Sequence, residues 1–443
     1  MLRVLAVDLG ASSVRVAAID LDARPIEPHI IARFEHAPVR HDDGSLRWDW
    51  AGIVARVTAA LDQGLALGPV ASIGVDAWGV DYGLLGEDGA LLSAPYCYRD
   101  DRTSGWRSVV ERIGAERLYR TTGVQLMRIN TIFQLAAHDR AELARARQLL
   151  MLPELLVREL TGVITAEVTS AGTTALVDLA TAAWSGDLLG AIGVDPAIMP
   201  RIRTAGVEAG RWRGVPLHLA GGHDTASAFV AVPGTPAPNA AIISSGTWML
   251  VGVERDAPDL SDAAMRANFS NERGAAGGYR FLKNVMGLWM LEQCRARWDD
   301  ASLDDLLDEA AILPAGGPTV DATDARFLAP ADMEAEVRTA AGLPVSASRA
   351  EVVRCVLDSL AAAAARVIGE IASITGERVP EIHVIGGGGR NALLNRLIEE
   401  ACGLPVRVGP AEATLLGNAL VQGIAIGRFA GVADARAALA GDA

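Results

Sequence analysis

Leu219 to Gly252 reads LAGGHDTASAFVAVPGTPAPNAAIISSGTWMLVG. Its first part sets one carboxylate, Asp224, behind a Gly221-Gly222 turn and at the head of a short apolar helix predicted over Thr225 to Val232. A turn without side chains admits the close approach of another molecule. A carboxylate in the first helical turn is held ionised by the positive end of the helix dipole. An ionised carboxylate at the floor of a cleft is what a general base requires. The second part, Ala240 to Gly252, reads as apolar strand, Ser-Ser-Gly-Thr turn, apolar strand. That is a hairpin whose tip offers backbone N–H groups and hydroxyls.

The same pattern opens the chain. Leu5 to Ile19 reads LAVDLGASSVRVAAI, and with Gly10 placed over Gly246 both segments become strand, glycine-hydroxyl turn, strand. Two unrelated hairpins would look alike, but both tips carry chemistry: Asp8 in the first, and Ser244, Ser245 and Thr247 in the second. The repeat predicts an internal duplication, with one phosphate-gripping hairpin opening each half. The first turn, Gly10-Ala11-Ser12-Ser13, has the amides and hydroxyls to cup a phosphate. Asp8 at the strand end has two readings, a turn cap or a holder of Mg²⁺ through water. Val232 to Asn239 (VPGTPAPN) is the expected boundary, giving domains 1–232 and 240–430.

Composition narrows the function classes. A chain of 443 residues predicts two to three domains. Leu/Ala/Val-rich segments alternating with glycine turns predict a soluble α/β protein. The net charge of −14 argues against nucleic-acid or anionic-membrane partners, so a bound phosphate has to be held locally. Cys97, Cys294, Cys355 and Cys402 are scattered, which predicts a reducing, cytoplasmic setting and no cysteine zinc site. The histidines lack His-Glu-x-x-His spacing. The chain enters a strand at once, so no secretory leader is expected. Its longest uncharged run, Thr225 to Val253, carries Pro233, Pro236 and Pro238 and predicts no membrane helix.

Elsewhere, Ala71 to Val75 reads as a buried strand ending in Asp76-Ala77-Trp78-Gly79-Val80-Asp81. This is either an aromatic face with two carboxylates suited to a sugar, or a capped turn over a core tryptophan. Leu84 to Leu92 predicts a hairpin around Asp88-Gly89. Residues 103–215 read as mostly helical, with Asn130 as an N-cap, Pro153 in a first turn, Gly162 as a stop and no catalytic constellation. Phe281 to Trp298 begins polar at Lys283-Asn284 and continues as an apolar helix. Ser302-x-x-Asp305 and Ser348-x-x-Glu351 are capping boxes. Gly387-x-Gly389-x-x-Ala392 matches a dinucleotide fingerprint, but the next strand, Pro405 to Val408, lacks the acidic residue a ribose needs. A glycine turn that admits adenosine or phosphate against the backbone fits better.

Taken together, Val7-Asp8-Leu9-Gly10-Ala11-Ser12-Ser13, Ile73 to Asp81, Tyr98-Arg99-Asp100, His223-Asp224-Thr225-Ala226-Ser227, Ser244-Ser245-Gly246-Thr247-Trp248, Lys283 to Trp289 and Gly386-Gly387-Gly388 resemble the FGGY carbohydrate kinases. Among them the chain looks most similar to those acting on L-rhamnulose. The motifs run in order over nearly the whole chain. The resemblance implies an α/β fold of two actin-like (ribonuclease-H-like) domains flanking a central ATP/sugar cleft. It implies ATP and Mg²⁺ as cofactors, a small-molecule ketose as partner, and a monomer or small homo-oligomer.

The implied reaction moves the γ-phosphoryl group to the primary hydroxyl of the ketose, with Asp224 as base. Gly79, His223, Asp224, Thr225 and Asn284 would face the sugar, alongside Asp76, Trp78 and Asp81. Ala11, Ser12, Ser13, Val14 and Arg15 would line the phosphates, and Thr247, Glu292, Gly387 and Gly388 would touch the nucleotide. Val14 stands where the family pattern has glycine, which implies a less permissive turn. Glu292 stands where it has glutamine. Alternatives are a kinase of another ketose, such as L-fuculose or xylulose, or a non-enzymatic actin-like nucleotide-binding protein. In the last, the sugar-facing residues would have no reason to form a set.

Overall fold

The computed structural model describes residues 1–298 and 302–441. The chain forms two compact units. The first comprises Met1–Thr235, Arg255–Phe281 and Glu412–Ala443, and the second Pro236–Glu254 and Leu282–Ala411. Where the sequence suggests one change-over at residues 232–239, the chain changes over there and again at three later points.

The first unit is organised on a mixed sheet. Strand β1 (Arg3–Leu9) runs antiparallel to β2 (Ser13–Asp20), from Arg3↔Asp20 to Leu9↔Val14, and β3 (Pro28–Glu35) continues this meander. On its other side β1 runs parallel to β4 (Ser72–Ala77), from Val4↔Ser72 to Leu9↔Ala77. Beyond lie β5 (Glu208–Trp212) and β6 (Val215–His218), giving the order β5-β6-β4-β1-β2-β3. Central strands covered on both faces need continuous apolar runs, and β1 and β4 are buried nearly throughout.

The second unit repeats the plan. Its β7 (Ala241–Ser245) is antiparallel to β8 (Trp248–Arg255). With β9 (Tyr279–Met286), β10 (Ile382–Ile385) and β11 (Val406–Val408), the order is β9-β8-β7-β10-β11. The pairs β7–β10 and β10–β11 are parallel. In both units a glycine-turn hairpin supplies the central strand and its antiparallel neighbour. The repeat visible in the sequence is therefore a repeat of topology.

Other expectations meet mixed outcomes. The Leu152–Thr161 helix has Pro153 in its first turn and ends at Gly162 in the left-handed region (φ 76°). The Arg349–Thr375 helix carries both halves of its capping box, Ser348 and Glu351. Two readings need correction, while Asn130 is the N-cap expected, without a side-chain cap bond. Residues 103–215 are not simply helical: Gln148–Met151, too short for a helix, pairs with Tyr82–Leu85. The hairpin expected over Leu84 to Leu92 is present, with Leu85 bridging antiparallel to Leu91 and Leu92 N donating to Leu84 O at 2.9 Å. Asn130 heads a helix but spends its Oδ1 on Met127 N at 2.7 Å, outside the helix. Lys283 and Asn284 lie within β9, and the helix starts only at Trp289 (Trp289–Arg295). Lys283 tolerates burial there because it pairs with Glu370.

The Ala413–Ala425 helix belongs to the first unit. Gln422 Nε2 donates to Leu5 O at 3.1 Å, and Asn418 Nδ2 to Asp76 Oδ2 at 2.6 Å. Glycine permits this approach: a Cβ on Gly417 would lie 1.7 Å from Ser227 O in the Asp224–Val230 helix. The expected result for Gly417→Ala is a loss of at least about 2 kcal/mol in urea unfolding, because backbone has to move. Gly369→Ala, where nothing lies within 4 Å, should instead gain roughly 0.5–1 kcal/mol. Equal effects at the two positions would contradict this packing account.

Candidate active site

The parallel register of β1 and β4 sets Asp8 opposite Asp76 at the ends of their strands. Asp76 is fully buried, with Oδ2 on Asn418 Nδ2 and Oδ1 without a hydrogen-bond partner among the described residues. Burial first, and then the Asp8 charge, hold its carboxyl well above the usual range. Burial also pushes Asp8 up to about 6, against the pull of Arg15, whose Nη1 lies 3.0 Å from Asp8 Oδ2; the Asp224 charge adds to the rise. Arg15 Nε also reaches Glu412 Oε2 at 3.4 Å.

Asp224 is the third carboxylate. The end of β4 is tied to its turn: Ala77 N donates to Gly222 O at 2.9 Å, and Ala77 bridges to His223. Asp224 begins the Asp224–Val230 helix, and its Oδ1 accepts from Thr225 N and from Thr225 Oγ1 at 3.0 Å. Its side chain is 26% exposed, against 5% for Asp8. Of the three, Asp224 is thus the one open to a substrate.

The turn carrying Asp224 is clamped from below by residues that the sequence reading passed over. Gly222 N donates to Glu167 Oε2 at 2.9 Å, and His223 N to Thr169 Oγ1 at 3.0 Å. A Cβ on Gly222 would meet Glu167 Oε2 at 3.0 Å and Glu154 Oε1 at 3.3 Å. Glycine is required here by close packing. Glu154 accepts from Ser170 Oγ and, at 2.9 Å, from Glu167 N. Burial, with the Glu167 charge added, raises its carboxyl to about 8.

A further missed pair stands behind His223. Its Nδ1 lies 3.3 Å from Glu272 Oε2, and Glu272 Oε2 accepts from Arg280 Nη2 at 3.0 Å. On the ring's other side, Nε2 lies 3.5 Å from Asp224 Oδ1. The available signal was two opposite charges eight residues apart inside an alternating strand pattern, closed by a Gly-rich turn.

The Asp76–Asp81 segment departs from its sugar-face reading at one residue. Asp81 is fully buried, and its oxygens accept from Trp48 Nε1 (2.8 Å), Trp78 Nε1 (2.9 Å), Tyr98 N (3.2 Å) and Gln134 Nε2 (3.1 Å). Those donors take its capacity, so Asp81 anchors Trp48 and Trp78 rather than meeting sugar hydroxyls. Trp78 also stacks with His36, with ring centroids 5.5 Å apart. Gly79 is close-packed, because a Cβ there would be 3.1 Å from Thr173.

The first hairpin turn closes through Gly10 N to Ser13 O at 3.1 Å, with Ala11, Ser12 and Ser13 half-buried. Val14 is wholly buried in β2, on the face opposite Ser13 and Arg15. Its side chain enters the core and does not narrow the turn, which corrects the expectation drawn from its identity.

In the second unit, Gly246 N closes the second turn onto Trp248 O at 2.9 Å, beside half-buried Thr247. Gly386 takes φ 86°, a Cβ on Gly388 would lie 2.0 Å from Ser245 Oγ, and Gly387 faces open space. Ser245 Oγ is buried without a hydrogen-bond partner among the described residues. Asn284 is half-buried in β9 and Glu292 is exposed on the Trp289–Arg295 helix. Asp8, Arg15, Asp76, His223, Asp224 and Thr225 therefore assemble within the first unit, and Thr247, Gly387 and Gly388 within the second. Among the described residues, no group of three or more His, Cys, Asp or Glu could hold a metal ion by itself. No described helix is long and apolar enough to cross a membrane.

Comparison with known proteins gives the family and the fold. Residues 3–227 match the N-terminal domain, and residues 241–426 the C-terminal domain, of the FGGY family of carbohydrate kinases. The chain is 39% identical over 447 residues to a rhamnulokinase of Klebsiella pneumoniae (strain 342), covering 98% of this chain and 91% of that protein. It is 38% identical over 448 residues to a rhamnulokinase of Pectobacterium carotovorum subsp. carotovorum (strain PC1), covering 98% and 90%. Its fold is similar to that of a ligand-bound xylulose kinase from Lactobacillus acidophilus, with TM-score 0.78, 17% identity, and 98% and 91% of the two chains covered. Plasmodium falciparum glycerol kinase with ADP gives TM-score 0.77 at 14% identity, covering 99% and 92%. The fold is α/β with two actin-like domains.

The raised Glu154 carboxyl gives a pH test of the clamp. Folded Glu154 keeps its proton up to about pH 8, whereas an ordinary glutamate loses it near 4.5. Its contribution to stability is complete below the lower value and is lost as pH rises between the two. Glu154→Gln cannot titrate, so the variant's Tm relative to the parent should climb steadily from pH 5 to pH 8. A difference independent of pH would contradict a protonated Glu154.

Proposed function

The chain belongs to the FGGY family of carbohydrate kinases, and on that footing we propose that it moves the γ-phosphoryl group of ATP to the primary hydroxyl of L-rhamnulose, giving L-rhamnulose 1-phosphate. The observation that carries the reading is the half-buried Asp224 carboxylate beside two buried ones, on a turn held rigid by Glu167 and Thr169. Asp224 accepts the hydroxyl proton as the sugar oxygen bonds to the γ-phosphorus. The bond between that phosphorus and the β–γ bridging oxygen breaks, and ADP leaves. Little covalent work falls to the protein in such a transfer, so the rate comes from positioning and charge stabilisation.

Gly79, His223, Asp224, Thr225 and Asn284 face the sugar, with Trp78 and Asp76 behind them. Ala11, Ser12, Ser13 and Arg15 line the phosphates, with Val14 giving only its backbone, and Thr247, Gly387 and Gly388 meet the nucleotide, with Glu292 near it. The open space at Gly387 and the orphaned Ser245 hydroxyl support the nucleotide assignment. Carboxylate charge crowded around Asp8 fits Mg²⁺: Asp8 would hold it with water and phosphate oxygens, and the ion would offset phosphate charge. Cys97, Cys294, Cys355 and Cys402 are free, which favours work in the reducing cytoplasm.

Three outcomes test this. A panel of ketoses in a coupled ADP-release assay should show L-rhamnulose with the highest kcat/KM; preference for L-fuculose or D-xylulose would move the assignment to another ketose. Asp224→Asn should lower kcat roughly 10²- to 10⁴-fold with little change in the KM for MgATP. Near-normal turnover would remove Asp224 from the base role. Glu292→Gln should lower the KM for MgATP several-fold at low ionic strength, where a carboxylate repels polyphosphate most. An unchanged KM would place Glu292 away from the nucleotide.

A further inference from the structure

His36 follows β3 and is tied twice to the first hairpin turn. Its backbone N–H donates to Ser12 O at 3.2 Å, and its ring Nε2 lies 2.7 Å from Gly10 O. A carbonyl oxygen only accepts, so Nε2 carries the hydrogen of that bond. The other ring nitrogen, Nδ1, is buried with no hydrogen-bond partner among the described residues, so nothing there competes for the proton. Burial outweighs the Gly10 hydrogen bond and holds the ring's pKa below its usual value, with the Arg56 charge adding to the fall, so the ring is neutral at pH 8. The ring is also wedged in place. It stacks on Trp78 with centroids 5.5 Å apart and meets Trp48 at 5.2 Å, and both indoles donate to Asp81 Oδ2. Filling this space would need only a flat ring, and phenylalanine has one. The hydrogen on Nε2 adds a grip on one carbonyl of the turn.

We propose that His36 is a positioning residue for the nucleotide: by holding the Gly10 carbonyl, it aims the Ala11 N–H at a phosphate oxygen of MgATP. The inference rests on the reading of the Gly10–Ser13 turn as the phosphate-binding hairpin. The Gly10–Ala11 peptide is trans, and a planar trans peptide points its C=O and its N–H to opposite sides. With Gly10 O turned onto the ring, the Ala11 N–H is turned away from it. The turn needs this grip because of its own glycine. A Cβ on residue 10 would lie 2.8 Å from Ser13 O, so close packing requires glycine there. Glycine is also the residue that leaves the following peptide freest to rotate. Tied to His36, the amide is aimed before the phosphate arrives and costs no reorganisation on binding. Asp81 acts through the same contact, because it fixes the two indoles that hold the ring.

Two substitutions separate the grip from the packing. His36→Phe keeps a flat ring against Trp78 but has no donor. His36→Gln loses the ring but carries an N–H close to the place of Nε2. Calorimetric titration with Mg²⁺ and the non-hydrolysable analogue AMP-PNP should give a Kd about 5- to 20-fold weaker than the parent's for His36→Phe, the cost of misdirecting one donor to a charged group. For His36→Gln the Kd should stay within about three-fold of the parent's, and the KM for MgATP should follow the same order while the KM for L-rhamnulose moves by less than about two-fold. A ring that only fills space predicts the reverse order, with His36→Gln the weaker binder. That order, or equal affinities for the two variants, overturns the proposal. Long-range ¹H–¹⁵N correlation on the ¹⁵N-histidine parent at pH 8, with His36 assigned by its loss in His36→Gln, should show Nε2–H and needs no folded His36→Phe. A bare Nε2 there overturns the proposal as well. A parent protein that binds no AMP-PNP refutes the nucleotide reading itself, whereas parent-like binding by His36→Phe refutes only the part played by His36.

Discussion

Two carboxylates, Asp8 and Asp76, stand opposite each other at the ends of adjacent parallel strands inside the first unit. Carboxylates are expensive to bury and repel one another. The surrounding structure answers that cost group by group. Arg15 from the next strand faces Asp8, and Asn418 from a helix near the end of the chain donates to Asp76. The close approach of that helix relies on Gly74 and Gly417, whose missing side chains leave room for Asn418 and for the Ser227 backbone. What remains is a cluster of carboxyl oxygens beside Asp224, which suits a cation and a hydroxyl proton in transit.

The second constraint is the rigidity of the Asp224 turn. Gly222 and His223 give their N–H groups to Glu167 and Thr169, and Ser227 Oγ ties back to Gly221 O at 2.8 Å. A general base that moves by an ångström loses much of its advantage, so fixed backbone under Asp224 serves the chemistry directly. The buried acids beneath it, Glu154 and Glu167, have carboxyls raised by burial, so they connect pH to the stability of the turn.

Local features were legible in the sequence. The two hairpins LAVDLGASSVRVAAI and AIISSGTWMLVG declare themselves by strand alternation and turn chemistry within fifteen residues, and each supplies one antiparallel pair at the centre of its unit's sheet. Pro153 and Gly162 mark their helix correctly for the same reason. Features that depend on remote chain were not legible. Glu154, Glu167, Glu272 and Arg280 look like ordinary surface charges until burial gives them partners. Lys283 and Asn284 read as the polar start of a helix because their strand is set by neighbours rather than by propensity. The Ala413–Ala425 helix shows small residues in the sequence, yet nothing local says that it packs on the strands that open the chain.

On the proposed reading, this carboxylate cluster serves phosphoryl transfer to one defined sugar oxygen. The most direct measurement is ¹³C–³¹P NMR of the product formed from ¹³C-labelled L-rhamnulose and MgATP. Phosphorus coupling at C1, with ADP formed in equal amount, is the expected result. Phosphate at any other carbon, or ADP released without a phosphosugar, would contradict it.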